Sequence, residues 1–158
     1  MMTGIDGKVW RAWLAVVLCI TAIWIFSGES FSAASTSRFI TPFLRWLDPD
    51  ISYQAILRTR FYIRKAAHLT EYAVLAVLAF RALRLSLAVS TLRVIGLAMG
   101  VVVAVAALDE LRQAFLATRT GSLADVAINF TGGALGVGLI VALHRWLGIG
   151  APVAEKDP

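Results

Sequence analysis

The chain has 158 residues, 59% hydrophobic and 16% charged, where a soluble domain carries about 25% charged residues. Its formal charge of +5 comes from 15 basic and 10 acidic residues, scattered without the basic block of a nucleic-acid arm, so anionic lipid headgroups are the expected counter-charge. The lone Cys19 excludes an intramolecular disulfide, a CxxC pair and a cysteine-built zinc site, and reads as a small packing residue.

These features predict one all-α domain over residues 1–158: a polytopic membrane bundle of four transmembrane helices, with an interfacial helical segment after the first. A span needs about 20 mostly apolar residues to cross a hydrocarbon core of about 30 Å. Residues 10–26, 66–83, 90–108 and 123–143 qualify. The first has a second reading as a signal peptide, with Lys8 and Arg11 as its basic region and Ser32, Ala33 and Ala34 as a cleavage region. Trp10, Trp13 and Trp24, rings suited to a membrane belt, favour a retained span.

Residues 28–63 are too polar to cross. Within "SRFITPFLRWL", Phe39, Ile40, Phe43, Leu44 and Leu47 fall near one helical face with Arg38 and Arg45 off it, the pattern of an interfacial helix. "DPD" at 48–50 is a turn, after which Ser52 caps a helix running through Arg58, Arg60 and Arg64 into the second span. Arg81, Arg84 and Arg93 bracket one short connection and suit headgroup contact; "LRQAFLATRTGS" forms the next. The tail at 148–158 is short and polar.

Alternating spans bring the start of the second, the end of the third and the start of the fourth to one membrane face, and all three are unusually polar. Arg64, His68 and Glu71 at i, i+4, i+7 make a stripe on the second span. On the third, "LDELRQAF" lets Gln113 neighbour either Asp109 or Glu110. The fourth opens "RTGSLADVAIN", where Ser122 is an N-cap with Asp125 completing a capping pattern, and Asp125 and Asn129 share a side. Ionisable groups at that depth cost about 2.5–3.5 kcal/mol each, so they gather around a bundle interior and pair there. One shared polar pocket is therefore predicted. Beyond it, Gly132, Gly133 and Gly136, and Gly96 with Gly100, offer small surfaces for close helix contact.

"RKAAHLTEYAVLA", "DELRQAF" and "RTGSLADVAINFTGGALG", in that order over residues 64–136, resemble the VanZ family, named for a protein associated with teicoplanin resistance. By that resemblance Arg64, Lys65, His68, Glu71, Tyr72, Asp109, Glu110, Gln113, Arg119, Ser122, Asp125, Asn129 and Gly133 stand at motif positions. The chain departs from the family pattern at Ser27, Gly28 and Glu29, where a serine-serine-glutamine stretch is usual, and at Ala117 and Thr118, where a proline-glycine is usual. The resemblance implies a small integral membrane protein of the bacterial envelope.

His68, Glu71, Asp109 and Glu110 are the candidate acid/base residues, since a carboxylate beside an imidazole orients it and favours its protonated form. Arg64, Lys65, Gln113, Arg119, Ser122, Asp125 and Asn129 are the candidate binding residues, the arginines either clamping an anion or neutralising Asp125 and Glu71. No cofactor is expected, and without a second nearby histidine or an HExxH motif no metal site either. Seven basic residues lie on the side of the termini and eight on the other, but Arg64, Lys65, Arg112 and Arg119 of those eight belong to the cluster. Seven against four favours cytoplasmic termini in the bacterial inner membrane. The function expected is binding of an anionic or polar envelope component, such as a lipid-linked cell-wall intermediate, and the resemblance to the VanZ family implies an effect on glycopeptide susceptibility. Two alternatives stand beside it: a membrane enzyme acting by acid/base hydrolysis or group transfer on an envelope lipid, and a non-catalytic structural or partner-binding protein.

Overall fold

The computed structural model describes residues 6–28, 33–115 and 122–147. Among these it has no strand and five helices: α1 (Gly7–Phe26), α2 (Ala33–Leu47), α3 (Tyr53–Ser86), α4 (Thr91–Ala114) and α5 (Leu123–Trp146). All but α2 are long and apolar enough to cross a membrane. The chain is a multi-pass helical bundle whose exposed leucines, among them Leu18, Leu92, Leu135 and Leu139, have hydrocarbon rather than water as their natural surroundings. The proposed cleavage region falls partly on Ser32, outside the described residues, as do Glu29, Ala117, Thr118, Arg119 and the tail at 148–158.

The helices start where side chains supply the missing acceptors of a first turn. Asp6 takes the Lys8 N–H at 3.1 Å, Ser52 that of Ala55 at 3.2 Å and Ser122 that of Ala124 at 3.2 Å. The DPD turn closes through Asp48, whose side chain accepts from the Asp50 N–H at 3.2 Å and whose carbonyl accepts from Ile51 at 3.2 Å. α3 is the centre and packs against every other helix. Its buried face alternates Leu75, Phe80 and Leu83 with Ala76, Ala79 and Ala82, so large side chains fill the gaps that small ones leave to neighbouring backbones. α1 joins the bundle through buried Ala12, Val16 and Ile23 and, at the end near Ser86, through a 2.9 Å hydrogen bond from Trp13 Nε1 to Ser86 Oγ.

α3 runs without interruption from the Ser52 cap through Arg58, Arg60 and Arg64 into the apolar run, as expected. Two expectations need adjustment. α4 continues past 108 to Ala114, carrying the DELRQ sequence on helical backbone. The glycines divide. A Cβ at Gly132 or Gly136 would land on the carbonyl of Leu69 or Ala73 of α3, and one at Gly133 would lie 2.8 Å from Val102 of α4. Gly96 and Gly100 have nothing within 4 Å, so the close contact belongs to α5 and not to these α4 glycines. They lie on an outward face of α4, and among the described residues Gly132, Gly133 and Gly136 are the glycines that meet a neighbouring helix.

α2 is amphipathic in the expected sense. Phe39 and Trp46 are 70% and 76% exposed and Phe43 and Leu47 are also uncovered, while Ile40 and Leu44 are half-buried. The Phe43 and Trp46 rings stack at 6.1 Å and the Arg38 guanidinium lies 5.0 Å over the Phe39 ring. Four aromatic and aliphatic groups on a helix too polar to cross match a segment lying along the headgroup boundary.

Helix lengths fix the level of the polar residues. At 1.5 Å per residue α4 and α5 are each about 36 Å long, and the stretch of α3 from Lys65 to Ser86 is about 32 Å, all close to a bilayer core. Lys65, Gln113 and Asp125 therefore share one end of the apolar slab, and Tyr53 to Arg64 project about 18 Å beyond it.

Candidate functional site

Buried polar side chains of the described residues are Ser27, His68, Asp109, Glu110, Gln113, Asp125 and Asn129. They come from α3, α4, α5 and the cap of α1, and all belong to the same end. α3 contributes Lys65, whose ammonium pairs with the Asp125 carboxylate of α5 while lying 5.1 Å over the Phe61 ring. One turn inward, His68 Nδ1 is 3.9 Å from Glu71 Oε2, with the imidazole 7% and the carboxylate 24% exposed.

α4 supplies the two adjacent carboxylates, which point apart and take separate partners. Asp109 is fully enclosed. It accepts from Ser27 Oγ at 2.5 Å, Gln113 Nε2 at 2.8 Å and Arg112 Nη2 at 3.1 Å. Glu110 turns toward α5, where Oε2 accepts the backbone N–H of Ser122 at 2.8 Å. A carboxylate there meets both an unsatisfied N–H and the positive end of the helix dipole. Glu110 also lies within electrostatic reach of Asp125, Asp109 and Lys65.

The sequence pattern needs two corrections here. Ser122 caps α5 as expected, but Asp125 does not complete a reciprocal cap: the Ser122 N–H is taken by Glu110 and Asp125 is drawn to Lys65. The cation neutralising Asp125 is thus Lys65, which stands one residue off the Arg64, His68, Glu71 stripe. Arg64 is half-buried and forms no salt bridge among the described residues. Arg119 lies outside them.

Ser27 was not legible as a site residue, and Arg112, which the sequence placed in the cluster, had no partner assigned. Ser27, 1% exposed, ties the end of α1 to Asp109 and also accepts from Arg112 Nη2 at 2.5 Å. Arg112 further donates to the Trp24 carbonyl at 2.9 Å and lies 5.9 Å over the Trp24 ring. The i, i+3 spacing of Asp109 and Arg112 points to that partner; no local spacing links Ser27 to a partner 82 residues away. Tyr72 and Asn129 complete the layer from beneath, both fully buried.

The VanZ/LLP1 family model matches residues 12–144. The chain belongs to the VanZ/LLP1 family. The match runs from the first buried turn of α1 to the last turn of α5, so this VanZ/LLP1 chain is matched across its whole bundle and not only over the motif-bearing segments. No curated protein and no solved structure matches it.

Within this VanZ/LLP1 bundle Arg112, Glu71 and Lys65 are partly exposed, and Asp109, Gln113 and Asn129 are enclosed. Such a layer can present hydrogen-bonding groups of both kinds, hold fixed charge and exchange a proton at His68 or a carboxylate, all at a membrane face.

Proposed function

We propose that this VanZ/LLP1 protein resides in the bacterial cytoplasmic membrane with its termini in the cytoplasm, its polar layer forming an outward-facing pocket. The pocket receives the polar or anionic headgroup of an envelope component, such as a lipid-linked cell-wall intermediate, and thereby alters susceptibility to glycopeptides such as teicoplanin. The observation that carries this reading is the co-location of fixed cations, an imidazole and carboxylates at one end of an otherwise apolar bundle, some partly exposed and others enclosed. Arg64, without a salt bridge among the described residues, is the guanidinium best placed to take an anionic oxygen, and Arg119 is a second candidate. Gln113, Ser122, Asp125 and Asn129 set the hydrogen-bonding complement of the pocket. Deleting the gene should change glycopeptide susceptibility and the envelope-lipid profile, and complementation should restore both. Two unchanged readouts would refute the proposal.

The approach of His68 to Glu71 supports a second reading, acid/base hydrolysis or group transfer on an envelope lipid. Glu71 would orient the imidazole, His68 would be the base, and Asp109 and Glu110 would shape the field around it. Turnover of a candidate lipid by purified protein, lost in a folded His68→Ala variant, supports catalysis; full biological activity in that variant supports binding alone.

A further inference from the structure

Each of the four long apolar helices carries an arginine to the end of the bundle opposite the polar site. Arg11 stands in α1, Arg81 and Arg84 in α3, Arg93 in α4 and Arg145 in α5, each within about 8 Å of its helix terminus along the axis. Contacts between the helices bring these termini together. Trp13 of α1 bonds Ser86 of α3, the Phe80 ring of α3 lies 6.1 Å from the His144 ring of α5, and Arg84 donates to the Val89 carbonyl at 3.4 Å in the short turn that leads to α4.

Among the described residues the acid at this end is Asp6, and it is engaged as the cap of α1. The five guanidiniums form no salt bridge among the described residues. Arg11 donates from Nε to the Gly7 carbonyl at 3.0 Å, which leaves its terminal nitrogens for another acceptor. Arg11, Arg81, Arg93 and Arg145 are exposed and Arg84 is half-buried. The polar site pairs Lys65 with Asp125 and Arg112 with Asp109; the opposite rim turns its cations outward.

What answers that charge must also cover apolar surface. One or two turns inward, on the same helix faces, lie exposed Leu14 beneath Arg11, Val74 beneath Arg81 and Leu97 beneath Arg93. Trp10 and Trp146, also exposed at this end, are rings of the kind that lodge at headgroup level. A soluble polyanion would satisfy the guanidiniums and leave these side chains uncovered, whereas a molecule with an anionic head and hydrocarbon tails satisfies both.

We propose that the rim formed by Arg11, Arg81, Arg84, Arg93 and Arg145 is a binding surface for phospholipids of net negative headgroup, which it selects over zwitterionic ones. It lies at the face opposite the polar site and does not depend on the headgroup reading of that site: lipid selection at the rim can persist with unaltered glycopeptide susceptibility, and the reverse.

The full chain carrying Trp24→Phe and Trp46→Phe, which keeps Trp10, Trp13 and Trp146 as reporters at this rim, tests the surface in symmetric vesicles of phosphatidylcholine and phosphatidylglycerol, with bromine high on the tails of one lipid or the other. Quenching then measures which lipid sits beside the reporters, whichever way the protein is inserted. A basic side chain at a membrane surface favours anionic lipid about fivefold, so phosphatidylglycerol should be preferred by about that factor, less in high salt. Changing all five arginines to glutamine should bring the ratio to about one. Arg93→Gln with Arg145→Gln, both exposed, should lower it part of the way and keeps the test open if the larger change prevents folding. A ratio of one with the rim intact overturns the proposal, as does either folded variant with the full preference. An equal loss from Arg38→Gln with Arg45→Gln on α2 assigns the preference to net charge alone, and displacement of phosphatidylglycerol from the reporters by soluble polyphosphate at physiological salt assigns the rim to a soluble polyanion; each overturns it too.

Discussion

Alanine at Gly132 or Gly136 tests the closest contact in the bundle. The new methyl of Gly132→Ala would lie 3.0 Å from the backbone carbons of Leu69, and that of Gly136→Ala 2.9 Å from those of Ala73, with the carbonyl oxygens nearer still. Carbon atoms settle at about 3.5–4.0 Å, so α5 must withdraw from α3 by about 0.5–1 Å. Backbone cannot rotate away as a side chain can. Overpacking of this kind costs about 1–3 kcal/mol, against which alanine returns up to about 1 kcal/mol of helix propensity. Each single variant should lose about 1–2 kcal/mol, and the double variant little more, because one withdrawal accommodates both methyls. The coupling energy is then close to one single cost, opposite in sign. Gly96→Ala and Gly100→Ala, with nothing within 4 Å, should be neutral or slightly stabilising. Reversible unfolding in mixed micelles measures all five proteins. If Gly132→Ala is as stable as Gly100→Ala, the helices are not in contact at these glycines and the placement of Asn129 falls with them; if the two α5 costs simply add, one withdrawal does not accommodate both methyls.

Lys65→Met should destabilise by about 3–5 kcal/mol because it strands the Asp125 carboxylate; the Lys65→Met, Asp125→Leu double variant should recover most of that loss on the same unfolding measurement. Ser27→Ala removes a hydrogen bond to Asp109 and should cost about 1 kcal/mol, with earlier protease cleavage of the α1 end relative to the rest of the bundle. Trp46 should be quenched by lipids carrying a nitroxide at the headgroup boundary and spared by one at the chain terminus, measured in a protein whose other tryptophans are phenylalanine; quenching by the terminal probe would refute an interfacial α2.

The fold was legible because hydrophobic length is a strong signal: four apolar runs led to four crossing helices. Their ends were less so. The Ser52 cap placed the start of α3 ahead of its apolar run, but on α4 apolar content stops at residue 108 while helical backbone needs only helix-permissive residues, which DELRQ supplies. At the site, periodicity brought His68, Glu71, Asp109, Gln113, Asp125 and Asn129 to one end, yet it could not choose between neighbours. Lys65 and Arg64 differ by about 100° around the helix, and only the position of α5 decides which one reaches Asp125. Ser27 lay beyond any such rule, since its partner is distant in the chain. Gly96 and Gly100 carry the same small-xxx-small spacing as Gly132 and Gly136, and the spacing says nothing about which side faces a neighbour.

The uninterrupted course of α3 has a mechanical consequence. A rod clamped among three others over one part and extending about 18 Å beyond it turns a sideways push on its outer arm into torque at the point where the clamp begins, and that point is occupied by Lys65 and His68. Because α2 also packs on α3, crowding or thinning of the adjoining leaflet that moved the outer arm would be felt at the imidazole without any hinge, by leverage alone.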